Sequence, residues 1–218
     1  MPAVDPLAAT LGQAVLAKAR VYVRGRDRNP DEGCTPSWFA TIVLAGGRRG
    51  EAFVKRDGRA NALNEVAAYH VARISGLVDV APCTVKDDAR WAAGGRPLEG
   101  TALFVAMRWG GYEQLGGRAP SDVYKRRVGL FDYIIRNWDR HPGNTMTRGR
   151  HEVAVDHGFA FDTSLGSAPD VHPADRECVR RLRRSGWQTL ELLRGLLSDE
   201  ALLCLVRRLA MLKIPEEE

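Results

Sequence analysis

The chain is best understood from residues 137–144, Asn-Trp-Asp-Arg-His-Pro-Gly-Asn, and residues 153–158, Val-Ala-Val-Asp-His-Gly. The first stretch places a carboxylate, Asp139, five positions before an amide, Asn144. The second ends a short apolar run with another carboxylate, Asp156. Oxygen ligands of these kinds suit Mg²⁺. We therefore expect the loop to curl back and bring Asn144 and Asp156 to one metal ion. The alternative is an ordinary turn rich in Asp, Asn, Pro and Gly.

Composition is that of an ordinary globular protein. Of 218 residues, 44% are hydrophobic and 27% charged, which allows one domain or two small lobes. No apolar run approaches the ~20 residues of a membrane span, and no basic region precedes an apolar stretch at the N-terminus, so neither a transmembrane segment nor a secretory signal is expected. The net charge of +5 suits an anionic ligand, but it indicates nucleic acid only weakly, so none is expected as a partner.

The four cysteines, Cys34, Cys83, Cys178 and Cys204, are scattered and form no C-x-x-C pair. We expect reduced thiols in a cytoplasmic protein; disulfides or a zinc site are the alternatives.

Local patterns predict a mainly β first half. A helix is expected from Asp5-Pro6 through Val15. Extended segments are predicted from β-forming residues and turn signals at residues 20–24, 38–44, 51–55, 80–85 and 101–109. Between them, a helix is expected over residues 60–75, with Gly76 as its C-terminal cap.

The second half reads as mainly helical. Ser121 is placed to cap a helix that runs into Asn137, with Phe131 and Ile135 on its apolar face. Two short strands are expected around Thr145 and at residues 153–155, followed by helices over residues 174–184, 187–197 and 199–213. The order predicts an α+β fold of two lobes joined near the glycines at 110–111. A small antiparallel sheet with one key helix would form residues 1–109, and helices would dominate residues 110–218.

Asp139 is the candidate catalytic residue. A helix feeding directly into it would hold its carboxylate on a rigid support, and phosphoryl transfer needs a group that orients the attacking hydroxyl and accepts its proton. His141 could contact the γ-phosphate or the proton in transit, or it could hydrogen-bond the loop. Arg140 could pair with a neighbouring carboxylate or remain solvated.

The candidate phosphate-binding residues lie upstream. Lys55 ends a strand with the sequence Ala-Phe-Val-Lys, and Glu65 follows on the next helix. Together they match the lysine that contacts the nucleotide's α- and β-phosphates and the glutamate that positions it. Gly33 and Ser37 lie in a turn whose backbone N–H groups could cradle phosphates, or which is a plain connection. Met107 would line an adenine pocket, or is simply core.

These residues resemble a known family. Residues 137–144 look like the catalytic loop of the phosphoinositide 3- and 4-kinases and their bacterial relatives. Residues 156–161, Asp-His-Gly-Phe-Ala-Phe, resemble the metal-binding segment of type II phosphoinositide 4-kinases and of small actinobacterial kinase-like proteins. Residues 33–39 are similar to the serine-containing phosphate loop of that branch, and HipA-type toxin kinases share the general plan. The resemblance covers roughly residues 20–165.

The resemblance implies a two-lobed protein-kinase-like fold in one catalytic domain, with ATP and Mg²⁺ as cofactors and Mn²⁺ as a possible replacement. It implies Lys55 on the phosphates, Asp139 as the catalytic aspartate, and Asn144 and Asp156 on the metal. His157 departs from it, because protein kinases have phenylalanine there.

The acceptor is not specified by these motifs. We expect Ser or Thr of a protein, with a lipid or small molecule as the alternative. A nucleotide-binding pseudokinase or adaptor is a third hypothesis, and AMP transfer is a minor variant. A basic cluster on a predicted helix could dock an anionic partner or form a solvated face: Arg176, Arg180, Arg181, Arg183 and Arg184. The oligomeric state stays open.

Overall fold

The computed structural model describes residues 15–21, 37–43, 49–56, 58–93, 96–105, 113–114 and 118–214. The chain divides into two compact units. The first contains the three N-terminal strands and a later two-stranded hairpin. The second contains the middle helix from Leu63 onward and every element from residue 113 to the end of the described chain.

The described strands, in chain order, are β1 (Val15–Val21), β2 (Ser37–Val43), β3 (Arg49–Lys55), β4 (Asp79–Val80), β5 (Cys83–Ala93), β6 (Arg96–Val105), β7 (Glu113–Gln114), β8 (Thr145–Arg148) and β9 (His151–Ala154). The first unit is built on one antiparallel sheet with the order β1-β2-β3-β6-β5. In this sheet Ser37 lies directly opposite Lys55. Ala52 and Val54 of β3 are fully buried.

The second unit is mainly helical. Its α-helices are α1 (Arg59–Ser75, beginning in the first unit), α2 (Asp122–Ile135), α3 (Arg176–Arg184), α4 (Gly186–Leu193) and α5 (Asp199–Met211). A small sheet with the order β4-β9-β8-β7 accompanies them, and its β4–β9 pair is parallel. One apolar core joins the helices, with Val71, Phe131, Ile134, Leu182 and Leu205 among its buried members.

Helix α2 shows why the sequence pattern works here. The Ser121 hydroxyl accepts a hydrogen bond from the Tyr124 amide and satisfies one of the first free N–H groups. The apolar face that Phe131 and Ile135 share is buried, as helical spacing predicts. Arg136 then adopts the left-handed conformation, with φ of 54°, and ends the helix one residue before Asn137.

The α+β class predicted from the sequence is confirmed: one unit is built on an antiparallel sheet and the other is mainly helical. Helix α1 ends at Ser75 before Gly76, whose φ is +68°, as predicted. The β8–β9 hairpin and the three C-terminal helices also lie where they were predicted. The described cysteines, Cys83, Cys178 and Cys204, are not joined by disulfide bonds.

Several local predictions were wrong. Val15 begins a strand rather than continuing a helix, and this strand, Val15–Val21, starts before the predicted residue 20. Residues 5–14 of the predicted helix and residues 22–24 of the predicted strand lie outside the described residues. The predicted segment 80–85 is two strands, and the second extends to Ala93. Strand β6 begins at Arg96, before the predicted residue 101. The charged residues of β5 have only a weak local preference for a strand, so the sequence did not indicate the full β5–β6 hairpin. Cross-strand pairing overrides that preference.

None of the helices in the described part of the chain has the length and apolar character of a membrane span.

Candidate active site

The candidate catalytic loop begins where α2 ends. The Asn137 amide donates to the Asp132 carbonyl oxygen at 2.9 Å, so the chain turns sharply off the helix. The Asn137 side chain also donates to the Asp132 carboxylate at 3.3 Å. Asp139 therefore lies two residues after an anchored position, but the helix ends at Ile135 and does not feed directly into Asp139 as was predicted.

The loop curls back on itself between Asp139 and Asn144. The side-chain nitrogen of Asn144, Nδ2, donates to the Asp139 carbonyl oxygen at 2.9 Å, and Asn144 is only 2% exposed. A 3₁₀ turn at Pro142–Asn144 makes this possible. With its nitrogen bound in this way, the side-chain oxygen of Asn144 is the atom that can act as a ligand.

His141 caps this turn. Its Nδ1 accepts a hydrogen bond from the Gly143 amide at 3.1 Å. Of the two roles considered for His141, hydrogen bonding within the loop is the one observed, while contact with a phosphate stays a prediction.

Arg140 connects three parts of the site. Its Nε and Nη2 donate to the two carboxylate oxygens of Asp132 at 2.8 and 2.9 Å. Its Nη1 donates to the carbonyl oxygens of Asn144 and Val155 at 2.8 and 2.9 Å. One guanidinium thus ties the loop to α2 and to the segment before Asp156. The solvated alternative for Arg140 is excluded.

The charge of Arg140 is maintained by its partners. Burial alone would lower the pKa of this guanidinium, but the hydrogen bonds and charge of Asp132 outweigh it, and the pKa is raised. The Glu65 carboxylate contributes in the same direction. Such charge-assisted, two-pronged pairs are the strongest hydrogen bonds that proteins make.

Asp156 follows β9 in a constrained conformation. The Val155 amide donates to the Asn144 carbonyl oxygen at 3.1 Å, so the two predicted metal ligands lie on segments that are hydrogen-bonded to each other. Asp156 itself has φ of 63°, a left-handed conformation that costs a non-glycine residue about 1 kcal/mol. Backbone outliers of this kind cluster at functional sites.

Gly158 lies in a turn, which the Ala160 amide closes by donating to the His157 carbonyl oxygen at 2.9 Å. The positive φ angles of this segment nevertheless lie at Asp156 and at Phe161, with φ of 64°. The Phe161 amide donates to the Ile135 carbonyl oxygen, which holds that residue against the end of α2.

Glu65 and His157 form a buried pair. Glu65 Oε2 lies 3.2 Å from His157 Nδ1, and both side chains are buried. The His157 ring also packs edge-on against Phe131 at 5.9 Å between centroids. His157, which departs from the protein-kinase pattern, thus links the segment that follows Asp156 to helix α1.

Two further side chains hold the segment after Asp156. The Asn64 amide donates to the carbonyl oxygens of Gly158 and Ala160, both at 2.9 Å. Arg208, fully buried on α5, donates from Nη1 to the carbonyl oxygens of Asp162 and Ser164 at 2.9 and 2.8 Å. The segment is therefore fixed from both sides by side chains distant in sequence.

Two of the predicted phosphate-binding residues, Ser37 and Lys55, lie in the first unit. Ser37 is the first residue of strand β2 and does not lie in a turn as predicted. It lies opposite Lys55 of β3, so the sheet brings these two positions together. Glu65 belongs to the second unit, and its pairing with Lys55 stays a prediction. Gly33 and Met107 lie outside the described residues.

The donor set fits Mg²⁺. Within the described chain, no three His, Cys, Asp or Glu side chains form a group that could hold a metal ion. One carboxylate, Asp156, and one amide oxygen, Asn144, instead match a hard cation that keeps several waters and shares phosphate oxygens with its substrate. The two residues present thus suit the predicted ion.

Sequence reasoning missed Asp132, Asn64 and the Glu65–His157 contact. Asp132 had a signal, because it is a carboxylate between buried Phe131 and Tyr133 on the apolar side of a helix. Buried carboxylates need partners. Asn64 had no such signal, since its acceptors are backbone carbonyls 94 and 96 residues away.

The basic cluster on α3 is partly structural. Arg183 donates to the carbonyl oxygens of Leu209 and Leu212 at the end of α5, and Arg184 pairs with Glu177. Arg126 and Arg127 of α2 likewise bind the buried carboxylate of Asp175. These contacts favour the interpretation of the cluster as a solvated face with internal contacts over its interpretation as a docking site for an anionic partner.

The sequence matches no protein-family model and no curated protein. Among solved structures, it is similar to the crystal structure of a Helicobacter pylori proinflammatory kinase, CtkA, with a TM-score of 0.49 and 9% sequence identity over 88% of this chain and 91% of that chain. At that level the likeness carries no inference about activity, and the proposal for this chain rests on its own residues.

Proposed function

We propose that this protein is a phosphotransferase that uses ATP and Mg²⁺ to phosphorylate a hydroxyl group, with Ser or Thr of a protein as the acceptor. The supporting observation is the way Arg140 holds the loop. By binding Asp132 and the carbonyls of Asn144 and Val155, it keeps Asp139, Asn144 and Asp156 on one interconnected framework. Preorganised groups of this kind account for most of the catalysis in phosphoryl transfer.

Each residue has a role in the proposal. Asp139 orients the acceptor hydroxyl and takes its proton. Asn144 and Asp156 would hold Mg²⁺, which when bound neutralises charge on the ATP phosphates. Lys55 and Ser37 would bind phosphates from the first unit, with Glu65 as the partner of Lys55.

A protein acceptor is favoured over a lipid. A lipid surface calls for exposed cations beside apolar anchors. Arg183 and Arg184 of the α3 cluster are instead engaged in contacts within the protein. The charge that remains gives no specific reason to place this chain on an anionic membrane.

The test is transfer from γ-labelled ATP with Mg²⁺, in a lysate and with phosphoinositide vesicles, for the wild type and for Asp139→Asn. We expect labelled protein that disappears in the variant, with a loss of at least about 100-fold. Asp122→Asn is the matched control, because the Asp122 side chain is 99% exposed and forms a surface salt bridge with Lys125.

The outcomes separate the hypotheses. Label in the lipid phase would replace the protein acceptor by a lipid. Label carried by α-labelled but not γ-labelled ATP would indicate AMP transfer. ATP binding without any transfer, measured by calorimetry, would leave the pseudokinase. Equal transfer by the wild type and by Asp139→Asn would remove the assigned role of Asp139.

A further inference from the structure

Two exposed aromatic rings lie against each other beside the candidate catalytic residues. Trp138 is 62% exposed and Phe159 is 51% exposed, and their ring centroids are 5.4 Å apart at an interplanar angle of 41°. Phe161, two residues beyond Phe159, is by contrast buried. Exposure of one phenylalanine and burial of the next shows that the segment directs Phe159 outward.

The backbone below this aromatic pair is held in place. The side-chain amide of Asn64 donates to the carbonyl oxygens of both neighbours of Phe159, at 2.9 Å each. On the other side, the Asn137 amide binds the Asp132 carbonyl directly before Trp138. The two rings are therefore presented by anchored segments, which lowers the entropic cost of binding a partner to them.

The pair is close to where an acceptor must lie. Trp138 directly precedes Asp139, so their Cα atoms are about 3.8 Å apart. Phe159 follows Asp156 by three residues, which limits the separation of their Cα atoms to about 11 Å. In a polypeptide substrate, a side chain that covers the rings would therefore belong to a residue within a few positions of the acceptor hydroxyl.

The charges on these segments favour a cation. Arg140 is bound to Asp132, and Arg136 donates from Nε to the Ser164 hydroxyl at 2.7 Å. The exposed Asp162 carboxylate lies three residues after Phe159, on the segment that also carries Asp156. With Arg140 paired to Asp132, residues 136–144 and 156–162 carry the carboxylates of Asp139, Asp156 and Asp162 against the guanidinium of Arg136. This charge balance disfavours an anionic headgroup or a phosphorylated sugar.

We propose that Trp138 and Phe159 bind the side chain of an arginine or lysine that flanks the acceptor Ser or Thr in a polypeptide substrate. The cation would lie over the rings while its aliphatic stem covers their apolar surface. The chain already contains such a contact, because Arg194 lies 5.8 Å from the ring centroid of exposed Trp187. The proposal rests on the function proposed above and adds the class of peptide.

The test compares serine peptides that differ only in the flanking residue: arginine, leucine or glutamate. For the wild type we expect the lowest KM with arginine. Trp138→Leu and Phe159→Leu should each raise that KM roughly five- to tenfold and bring the arginine peptide level with the leucine peptide. Trp187→Leu is the matched control and should leave the ranking of the peptides unchanged.

A second measurement does not need transfer. Calorimetry with the same peptides, carrying alanine in place of the serine, should give the same order of Kd values and the same loss in the two variants. A preference for leucine, binding of anionic vesicles that depends on Trp138, or variants that bind the arginine peptide like the wild type would each overturn the proposal. Absence of transfer with the binding pattern intact would count against the proposed function alone.

Discussion

Arg140 and Asp132 are joined by two parallel hydrogen bonds, Nε to Oδ2 at 2.8 Å and Nη2 to Oδ1 at 2.9 Å. Eight residues separate them in the chain. Their side chains are only 15% and 10% exposed, so solvent screens the pair little. The contact joins the candidate catalytic loop to the helix that precedes it.

We expect Asp132→Ala to lower the free energy of unfolding by about 3 kcal/mol, because it leaves a buried guanidinium without its carboxylate. Urea denaturation measures this change. Asp122→Ala removes a carboxylate from the same helix at a 99% exposed position and should cost less than about 1 kcal/mol. Equal effects of the two substitutions would show that the buried pair contributes nothing special.

Arg140→Lys should retain the charge but lose the fork that reaches Asp132 and two carbonyls. We expect a loss of stability of roughly 2 kcal/mol and a lower kcat for transfer, since the loop is no longer held to α2. Steady-state kinetics with folded variant protein test it. Wild-type kcat in Arg140→Lys would mean that a single positive charge is enough to position the loop.

His157→Phe restores the residue type found in protein kinases and tests the buried contact with Glu65. The aromatic volume is retained, but the carboxylate loses a partner 3.2 Å away. We expect a destabilisation of about 1–3 kcal/mol. Thermal unfolding of this variant, compared with His151→Phe at an exposed strand position, is the measurement. A variant as stable as the wild type would show that Glu65 does not depend on His157.

The contacts of Asp175 indicate that the folded protein loses stability at acidic pH. Burial raises the pKa of this carboxyl group, but hydrogen bonds from Arg126 and Arg127 outweigh it, and the pKa in the folded protein is lowered. A lowered folded-state pKa stabilises the protein above the unfolded-state value of about 3.9 and loses that effect as the pH falls through the folded-state value. Stability should therefore drop steeply below about pH 4.

Asp175→Asn should lower the Tm at pH 7 and flatten this acid limb. Melting curves between neutral and strongly acidic pH measure both effects. Asp170→Asn, at an exposed position in the preceding loop, is the control and should keep the limb of the wild type. An unchanged limb in Asp175→Asn would assign acid unfolding to other carboxylates.

Arg208→Met should destabilise the second unit by about 3 kcal/mol or more, because it removes donors from three buried or partly buried carbonyls, those of Ile134, Asp162 and Ser164. Arg207→Met, at the exposed neighbouring position, should change stability by less than about 0.5 kcal/mol. Denaturant midpoints give the comparison. Similar midpoints for both variants would contradict a structural role for Arg208.

Local signals in the sequence predicted much of the second unit. The Ser121 cap and the apolar spacing of Phe131 and Ile135 are properties of a helix with its own neighbours, so α2 could be located without any tertiary knowledge. The same holds for Gly76 after α1. Strand β5 could not be predicted in full, because its charged middle is extended only through pairing with β6.

The sequence by itself determined which chemical groups the candidate site contains: Asp139, Asn144 and Asp156 follow from spacing within a short stretch. Only the tertiary structure decided how they are held. Glu65 meets His157 across 92 residues, and Asn64 reaches Gly158 across 94. The sequence around a polar side chain does not indicate its partner when that partner is a distant carbonyl or a buried ring. Such contacts exist only after the apolar faces of the helices have packed and brought the segments together.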